Sequence, residues 1–357
     1  MKLKLKTACL SKNKIRQTLI TGKMKNVNNL MRFALAIVLI AGLSQPTIAQ
    51  TAAINKSAPD ALPGDGLKRY DFFYAGEAKA RNMYIVRNGK INWSYIDTTG
   101  KGEISDAIMM ASGNVLFAHQ FGITLINKDK KVLWHYDAPS GFETHTAQMI
   151  GTDRVVFVQN GNPAKVFITN IKTNKVEKEF VLPFKSGTHG QVRHARLTAA
   201  GTLLVAHMDL GKVNEYDTDG KILMSIDAPG AWSGVEIKNG NILIASNDHY
   251  VREVTHSGAV VWNCDLKELP DYKIAPQVAL RLPNGNTLVN SWFNQWDGKV
   301  GESSRTVQAI ELTADKKIVW ALRSWEAPAN LGPATIIQLL KDPNNATYEK
   351  AYFGNIK

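Results

Sequence analysis

The chain has 357 residues, 43 of them Lys or Arg and 31 Asp or Glu, for a formal charge of +12, with only two cysteines. That length allows one large or two medium domains with a packed core. The charge invites a nucleic-acid partner, but residues 1–50 hold nine basic residues and no acid, leaving 34 basic against 31 acidic in a body with no basic stripe to track phosphates.

The first element in the chain is a leader. Its basic stretch is followed by "FALAIVLIAGL" (33–43) and the small-residue stretch "SQPTIA" (44–49), the three parts of a secretory signal peptide, so residues 1–49 are expected to be removed after Ala49. "MKNVNNLMRFALAIV" is a complete signal start by itself, which makes Met24 an alternative initiator. The apolar run falls short of the roughly 20 residues a membrane span needs, as does every later one, so no span is expected after cleavage. The expectation is an exported protein, periplasmic or secreted. Cys9 would leave with the leader, and Cys264, beside Trp262 in an apolar stretch, reads as a small buried hydrophobe with no disulfide partner. Residues 50–67 read as a linker.

From residue 68 onward the pattern is short strands and turns, with amphipathic helical periodicity almost absent. "DFFYAGE" (71–77), "NMYIVR" (82–87) and "INWSYI" (91–96) come first. Two markers then alternate. One is a turn into an apolar strand: "SGNVLFA" (112–118), "TDRVVFV" (152–158), "AGTLLVA" (200–206), "NGNILIA" (239–245) and "NGNTLVN" (284–290). The other is a turn into a strand often closed by Trp: "NGKINW" (88–93), "DKKVLW" (129–134), "TNKVEK" (173–178), "DGKILM" (219–224), "SGAVVW" (257–262) and "DKKIVW" (315–320). About four strands per unit, at a repeat near 40–58 residues, specify an all-β, six-bladed β-propeller of four-stranded antiparallel blades over residues 68–341. The opening strands lack an inner partner and "ATIIQLL" (334–340) lacks any, so this C-terminal strand is expected to join the N-terminal blade and close the ring; residues 342–357 form a tail.

The outer-strand pattern in "TLINKDKKVLW", "VNEYDTDGKILM" and "AIELTADKKIVW" resembles the Trp-docking repeats of pyrroloquinoline-quinone-like, quinoprotein-type propellers. "LGPATIIQLL", "VQNGNPAK" and "PNGNTLVN" give the chain a likeness to secreted bacterial propellers of undefined activity. The resemblance implies blade construction and not the quinone cofactor: the ring is smaller and no vicinal Cys pair is present, so no PQQ is expected. A more distant similarity is to bacterial arylsulfotransferase propellers, which implies axial histidines and an arginine as sulfuryl-transfer residues, with His145 and His189 in comparable places. His207 stands where that family has Arg and Gln277 where it has His, with Arg193 as a substitute cation.

In such a ring the starts of the inner strands and the ends of the second strands share one face. The inner strands align as "SDAIMM" (105–110), "HTAQMI" (145–150), "RHARLT" (193–198), "WSGVEI" (232–237) and "QVALRL" (277–282), always small at the third position and polar or large before it. Second strands end at His119, Gln159, His207, Ser246 and Ser291, followed by residues such as Asn160 and Trp292; connecting loops add His189, Trp296 and Trp325. One mouth is therefore expected to collect Asp106, His119, Gln159, Asn160, His194, Trp232, Gln277, Trp292 and Trp325 as ligand-binding residues, and His145, His189, Arg193 and His207 as candidates for chemistry. The opposite face receives only turn residues.

Three functions are compatible with that mouth: binding of a carbohydrate or other polar small ligand, or of an envelope partner protein; arylsulfotransferase-like group transfer; and lyase or hydrolase chemistry on a metal held by His119, His145, His189 and His207, for which convergence in space is the sole support. Taken singly, His119 or His194 reads first as satisfying a neighbour's hydrogen bond in the core, and it is the cluster as a whole that reads as a ligand site.

Overall fold

The computed structural model describes residues 62–77, 81–185, 187–269, 272–293, 305–326, 330–342 and 350–357, all within one compact unit spanning 56–357. The leader, Trp296 and most of the linker lie outside the described residues.

Six four-stranded antiparallel sheets form the ring of a six-bladed β-propeller. Numbered in chain order, blade 1 takes its inner strand, Ala334–Leu339, from the far end of the chain, hydrogen-bonded to Phe72–Glu77. Blades 2 to 6 begin with inner strands Ile104–Met109, Glu143–Ile150, Val192–Leu197, Ala231–Glu236 and Pro276–Arg281. Ring closure is thus an inter-strand ladder, in keeping with the sequence pattern. Among the described residues no helix is long and apolar enough to cross a membrane.

The turn chemistry explains why each blade folds locally. At the first-to-second turns Gly113, Gly240 and Gly285 adopt φ of +83°, +82° and +85°, where a Cβ is strained, and each amide donates to the carbonyl three residues back. At the third-to-fourth turns the side chains of Asn127 and Asp217 accept from the amides two and four residues on. Between blades, apolar residues of alternating parity interdigitate; the core joining blades 3 and 4 includes Val158, Val166, Leu203, Val205 and Tyr216.

The recurring tryptophans are docking pins. Trp93, Trp134 and Trp262 donate their indole N–H to Lys128, Asn174 and Ala314, each in the outer turn of the next blade. Trp320 donates to Gly66, so the 3-10 turn Gly66–Lys68 serves blade 1 in place of such a turn. Blade 3 has Lys178 at the pin position, and its ammonium reaches Thr218 and Asp219 of the next turn instead.

The tail does more than trail away. Phe353 is fully buried in the core of blades 3 and 4, Gly354 N–H donates to Gly201 O, Gly151 N–H to Ala351 O, and Tyr352 Oη to Ala199 O. Residues 62–67, counted with the linker, also contribute: Leu62 packs beside blade 6 and Ala321 N–H donates to Pro63 O.

Candidate active site

The mouth is built from a repeated irregularity. Every inner strand of blades 2 to 6 carries a register shift at its first residues, between Ile104 and Asp106, Thr144 and Thr146, Val192 and His194, Ala231 and Ser233, and Pro276 and Ala279. Such bulges leave a residue outside the ladder and re-aim its side chain. The residues so released include Ser105, His145, Arg193, Trp232 and Gln277, the set the alignment placed before the small position. The next residues along, Asp106, Thr146, His194, Ser233 and Val278, follow at the axis.

Around the bulges of blades 2, 3 and 4 a charged cluster forms. Glu143 is its organiser: its Oε2 lies 2.9 Å from His145 Nε2 and 2.8 Å from His189 Nδ1, and its Oε1 accepts from Gln120 at 2.9 Å. Burial pushes this carboxyl up, but the hydrogen bonds from His145, His189 and Gln120 outweigh it and hold Glu143 well below the usual carboxylate range. An ionised carboxylate only accepts, so the hydrogens sit on His145 Nε2 and His189 Nδ1. In the neutral rings the lone pairs are then His145 Nδ1 and His189 Nε2. One ring nitrogen of each histidine and a Glu103 carboxylate oxygen lie within 4.8 Å of one another, with His145 Nδ1 3.3 Å from Glu103 Oε1.

At the focus of the three acceptors stands Arg193. Its Nη1 is 2.5 Å from Glu103 Oε1 and 3.1 Å from His145 Nδ1, and its Nη2 is 2.5 Å from His189 Nε2. Ser105 Oγ lies 2.8 Å from His145 Nδ1 and 3.0 Å from Glu103 Oε1. The guanidinium carbon stacks 5.0 Å from the Trp232 ring, which in turn meets Trp292 at 5.4 Å. His145 and Arg193 are buried, whereas the His189 side chain is 53 % exposed, so the imidazole at the rim is the one a ligand meets first.

Other expected residues are placed elsewhere. His207 is wholly buried, pairs with Val192 in the ladder, and hydrogen-bonds Tyr216 Oη at 2.8 Å; burial lowers its pKa to about 4. His119 is also buried, 3.2 Å from Thr124 Oγ1 and stacked on His135, with burial and then Arg81 lowering it to about 3. The reason is strand parity: His207 shares the sheet side of Val205 and Leu203, and His119 that of Phe117 and Val115, which face the neighbouring blade. The structure therefore does not bring His119 and His207 to the cluster.

Gln159 accepts from Tyr136 Oη, and Asn160 Nδ2 donates to Val192 O at 2.9 Å, tying blade 3 to the start of the next inner strand. Asp106 accepts both guanidinium nitrogens of Arg196, at 2.6 and 2.5 Å, and Thr146 Oγ1 at 2.9 Å; the Arg196 charge, against the effect of burial, keeps its carboxyl low. Trp325 is partly buried and donates to Thr306 O. Trp232 is 6 % exposed, with Arg193 over its ring, so it is no open platform for a sugar. Gln277 is buried beside the mouth and its Oε1 has no partner among the described residues. Glu103 and Glu143 were missed from sequence because each precedes the aligned inner-strand segment; a carboxylate two residues before Ser105 and before His145 was the available signal.

The opposite face is also more than turns. A cavity of about 1230 Å³ opens there, walled by residues including Ile108, Val235, Leu280 and Ile336, with His194 and Arg196 among its lining and Tyr352 and Lys350 of the tail at its edge.

Fold and site together define a six-bladed β-propeller with a carboxylate–histidine–arginine cluster at one mouth. No family model matches the chain, and no curated protein sequence does. Among solved structures it is similar to a protein of unknown function from Bacteroides caccae, at 23% identity and a TM-score of 0.64, over 75% of this chain and 98% of that one. It is also similar to a catalytically inactive virginiamycin B lyase from Staphylococcus aureus with quinupristin, at 14% identity and a TM-score of 0.51 over 75% and 90% of the two chains. A streptogramin B lyase follows at 16% identity and 0.50, over 76% and 86%. At these identities the likeness is one of fold.

Proposed function

We propose that the mouth is a divalent-cation site that acts on a small polar substrate by metal-assisted lyase or hydrolase chemistry. One observation carries the reading: a single carboxylate, Glu143, holds one nitrogen of each of two histidines so that the other nitrogen of each converges with Glu103. Carboxylates that orient metal-binding imidazoles through the far nitrogen are the usual support of such sites. Two nitrogens and a carboxylate oxygen suit Zn²⁺, or Mn²⁺, with open positions for water or substrate. A bound ion there would acidify water or polarise a carbonyl. His145, His189 and Glu103 would hold it, and the guanidinium of Arg193 now occupies their focus as the built-in cation.

The charge balance disfavours sulfuryl transfer. Two carboxylates, Glu103 and Glu143, face the single guanidinium of Arg193 in the cluster, a set of groups better suited to holding a cation than a sulfate. That lyases of the virginiamycin B and streptogramin B type share the propeller fold agrees with the proposed class without specifying a substrate. The leader supports a site of action outside the cytoplasm.

The test is calorimetric titration of untagged protein with Zn²⁺ and Mn²⁺, alongside His145→Ala, His189→Ala and Arg193→Gln. One-site binding is expected in wild type, loss in both histidine variants, and binding equal or tighter in Arg193→Gln, which removes the competing cation. A wild type that binds neither ion, with Arg193→Gln equally silent, would sink the metal reading. The specific observation of Arg193 at the focus would then favour metal-free binding of a polar ligand at the same mouth.

A further inference from the structure

The cavity on the tail face is separated from the charged mouth by the Asp106–Arg196 pair and Thr146, so it is a distinct compartment on the propeller axis. Its walls near the axis are aliphatic: Ile108, Val235, Val278, Leu280 and Ile336. The polar side chains that interrupt them, Gln148, Arg196, Asn290 and Gln338, are each hydrogen-bonded, and His194 is the exception. His194 is 1 % exposed, and neither of its ring nitrogens has a hydrogen-bond partner in the described structure. Ser233, at the equivalent position of the next blade, is fully buried and its Oγ is likewise unpartnered.

A buried donor or acceptor left without a partner costs about 1–3 kcal/mol. Native structures rarely keep such a group unless water or a ligand completes it. The charge at this level is already balanced, since Arg196 is held bidentate by Asp106. An imidazole beside a neutralised pair offers donor and acceptor capacity without net charge, which suits a hydroxyl or amide and gives a carboxylate no counter-charge. At the other end the rim is polar, with Glu236, Lys238 and Lys350, and the tail that carries Lys350 is fastened by Phe353.

We propose that this cavity is a second ligand site, which takes an elongated, largely apolar molecule with an uncharged hydroxyl or amide end directed at His194. The volume exceeds the ~300–1,000 Å³ usual for small-molecule pockets, so the aliphatic body of such a ligand has room. The inference does not depend on the metal reading, because none of the residues it uses belongs to the mouth.

The experiment uses N-phenyl-1-naphthylamine, an uncharged apolar fluorophore, titrated into the full folded protein and competed with 1-octanol. Wild type is expected to show saturable one-site enhancement reversed by 1-octanol. Leu280→Trp, which fills the cavity, should weaken fluorophore binding at least tenfold, with Val235→Phe as the second cavity variant where the first does not fold. His194→Leu should retain the fluorophore yet bind 1-octanol about tenfold more weakly, the loss of one hydrogen bond. Glu143→Gln should leave both affinities unchanged. Absence of saturable enhancement in folded wild type, or wild-type affinity in folded cavity variants, overturns the proposal; so does unaltered 1-octanol binding in His194→Leu.

Discussion

Glu143 and Asp106 show how two carboxylates in one ring do different work. Glu143 directs two imidazoles by accepting at 2.9 and 2.8 Å, so its removal should disturb orientation more than stability. Glu143→Gln keeps the shape but offers an amide that can donate where only acceptance is wanted, and divalent-ion affinity is expected to fall about 10–100-fold by calorimetry with the far-UV CD spectrum unchanged. Asp106 is spent on Arg196, whose side chain is 7 % exposed. Asp106→Asn weakens a buried bidentate ion pair, and the expected cost is about 3–5 kcal/mol in urea unfolding, because a buried guanidinium loses its counter-charge. Neither glutamate of the cluster stood out in the sequence. Carboxylates are common at strand starts, and the recurrence of one two residues before Ser105 and before His145 was the sole trace of a group that faces two histidines 2 and 46 residues away.

At the level of the strand, the bulge is the device that matters. Alternation alone assigns each side chain to one of two sheet faces, and under that rule His207 goes to the interblade core with Val205. The extra residue in each inner strand breaks the rule where it is useful and releases His145, Arg193 and Trp232 to the mouth. The other element with a defined duty is Ala334–Leu339, which supplies the inner strand of blade 1 through its ladder with Phe72–Glu77. Deleting residues 334–357 leaves that blade three-stranded, with Phe73, Tyr74 and Leu282 uncovered on the side they share with it. Such a truncation is expected to lose the single cooperative thermal transition, followed by CD or calorimetry, rather than shift it by a few degrees.

For the molecule as a whole, buried neutral histidines tie stability to pH. Burial lowers His207 to about 4, burial with Arg196 lowers His194 to about 3, and burial with Arg81 lowers His119 to about 3, against 6.5 for a free imidazole. Below 6.5 the unfolded chain takes up protons that the folded one refuses, so the stability present above pH 6.5 is lost as pH falls toward 4 and then 3. Glu143 adds to the decline below its ordinary 4.5, since its folded form stays ionised to lower pH. Tm is expected to fall steadily from pH 6.5 to pH 4, and more gently in His194→Asn, which has no imidazole to charge. A Tm that is flat across that range would contradict the burial of these rings.

The six-blade count, the strand order and the ring-closing C-terminal strand were all legible in the sequence. They follow from turn residues, the two-residue alternation and a repeated length, each of which acts over a few neighbours along the chain. The docking role of Trp93, Trp134, Trp262 and Trp320 was legible for the same reason. Placement of His145, Arg193 and Trp232 was half legible: their alignment at one end of the inner strands was visible, but the bulges that turn them toward the mouth were not. The interblade placement of His119 and His207 follows from the same two-residue alternation, whereas the arrival of Glu103 and Glu143, the cavity on the tail face and the anchoring of Phe353 were decided by tertiary structure alone. Those features depend on side chains from different blades meeting in space, a quantity that no local pattern of residue types encodes.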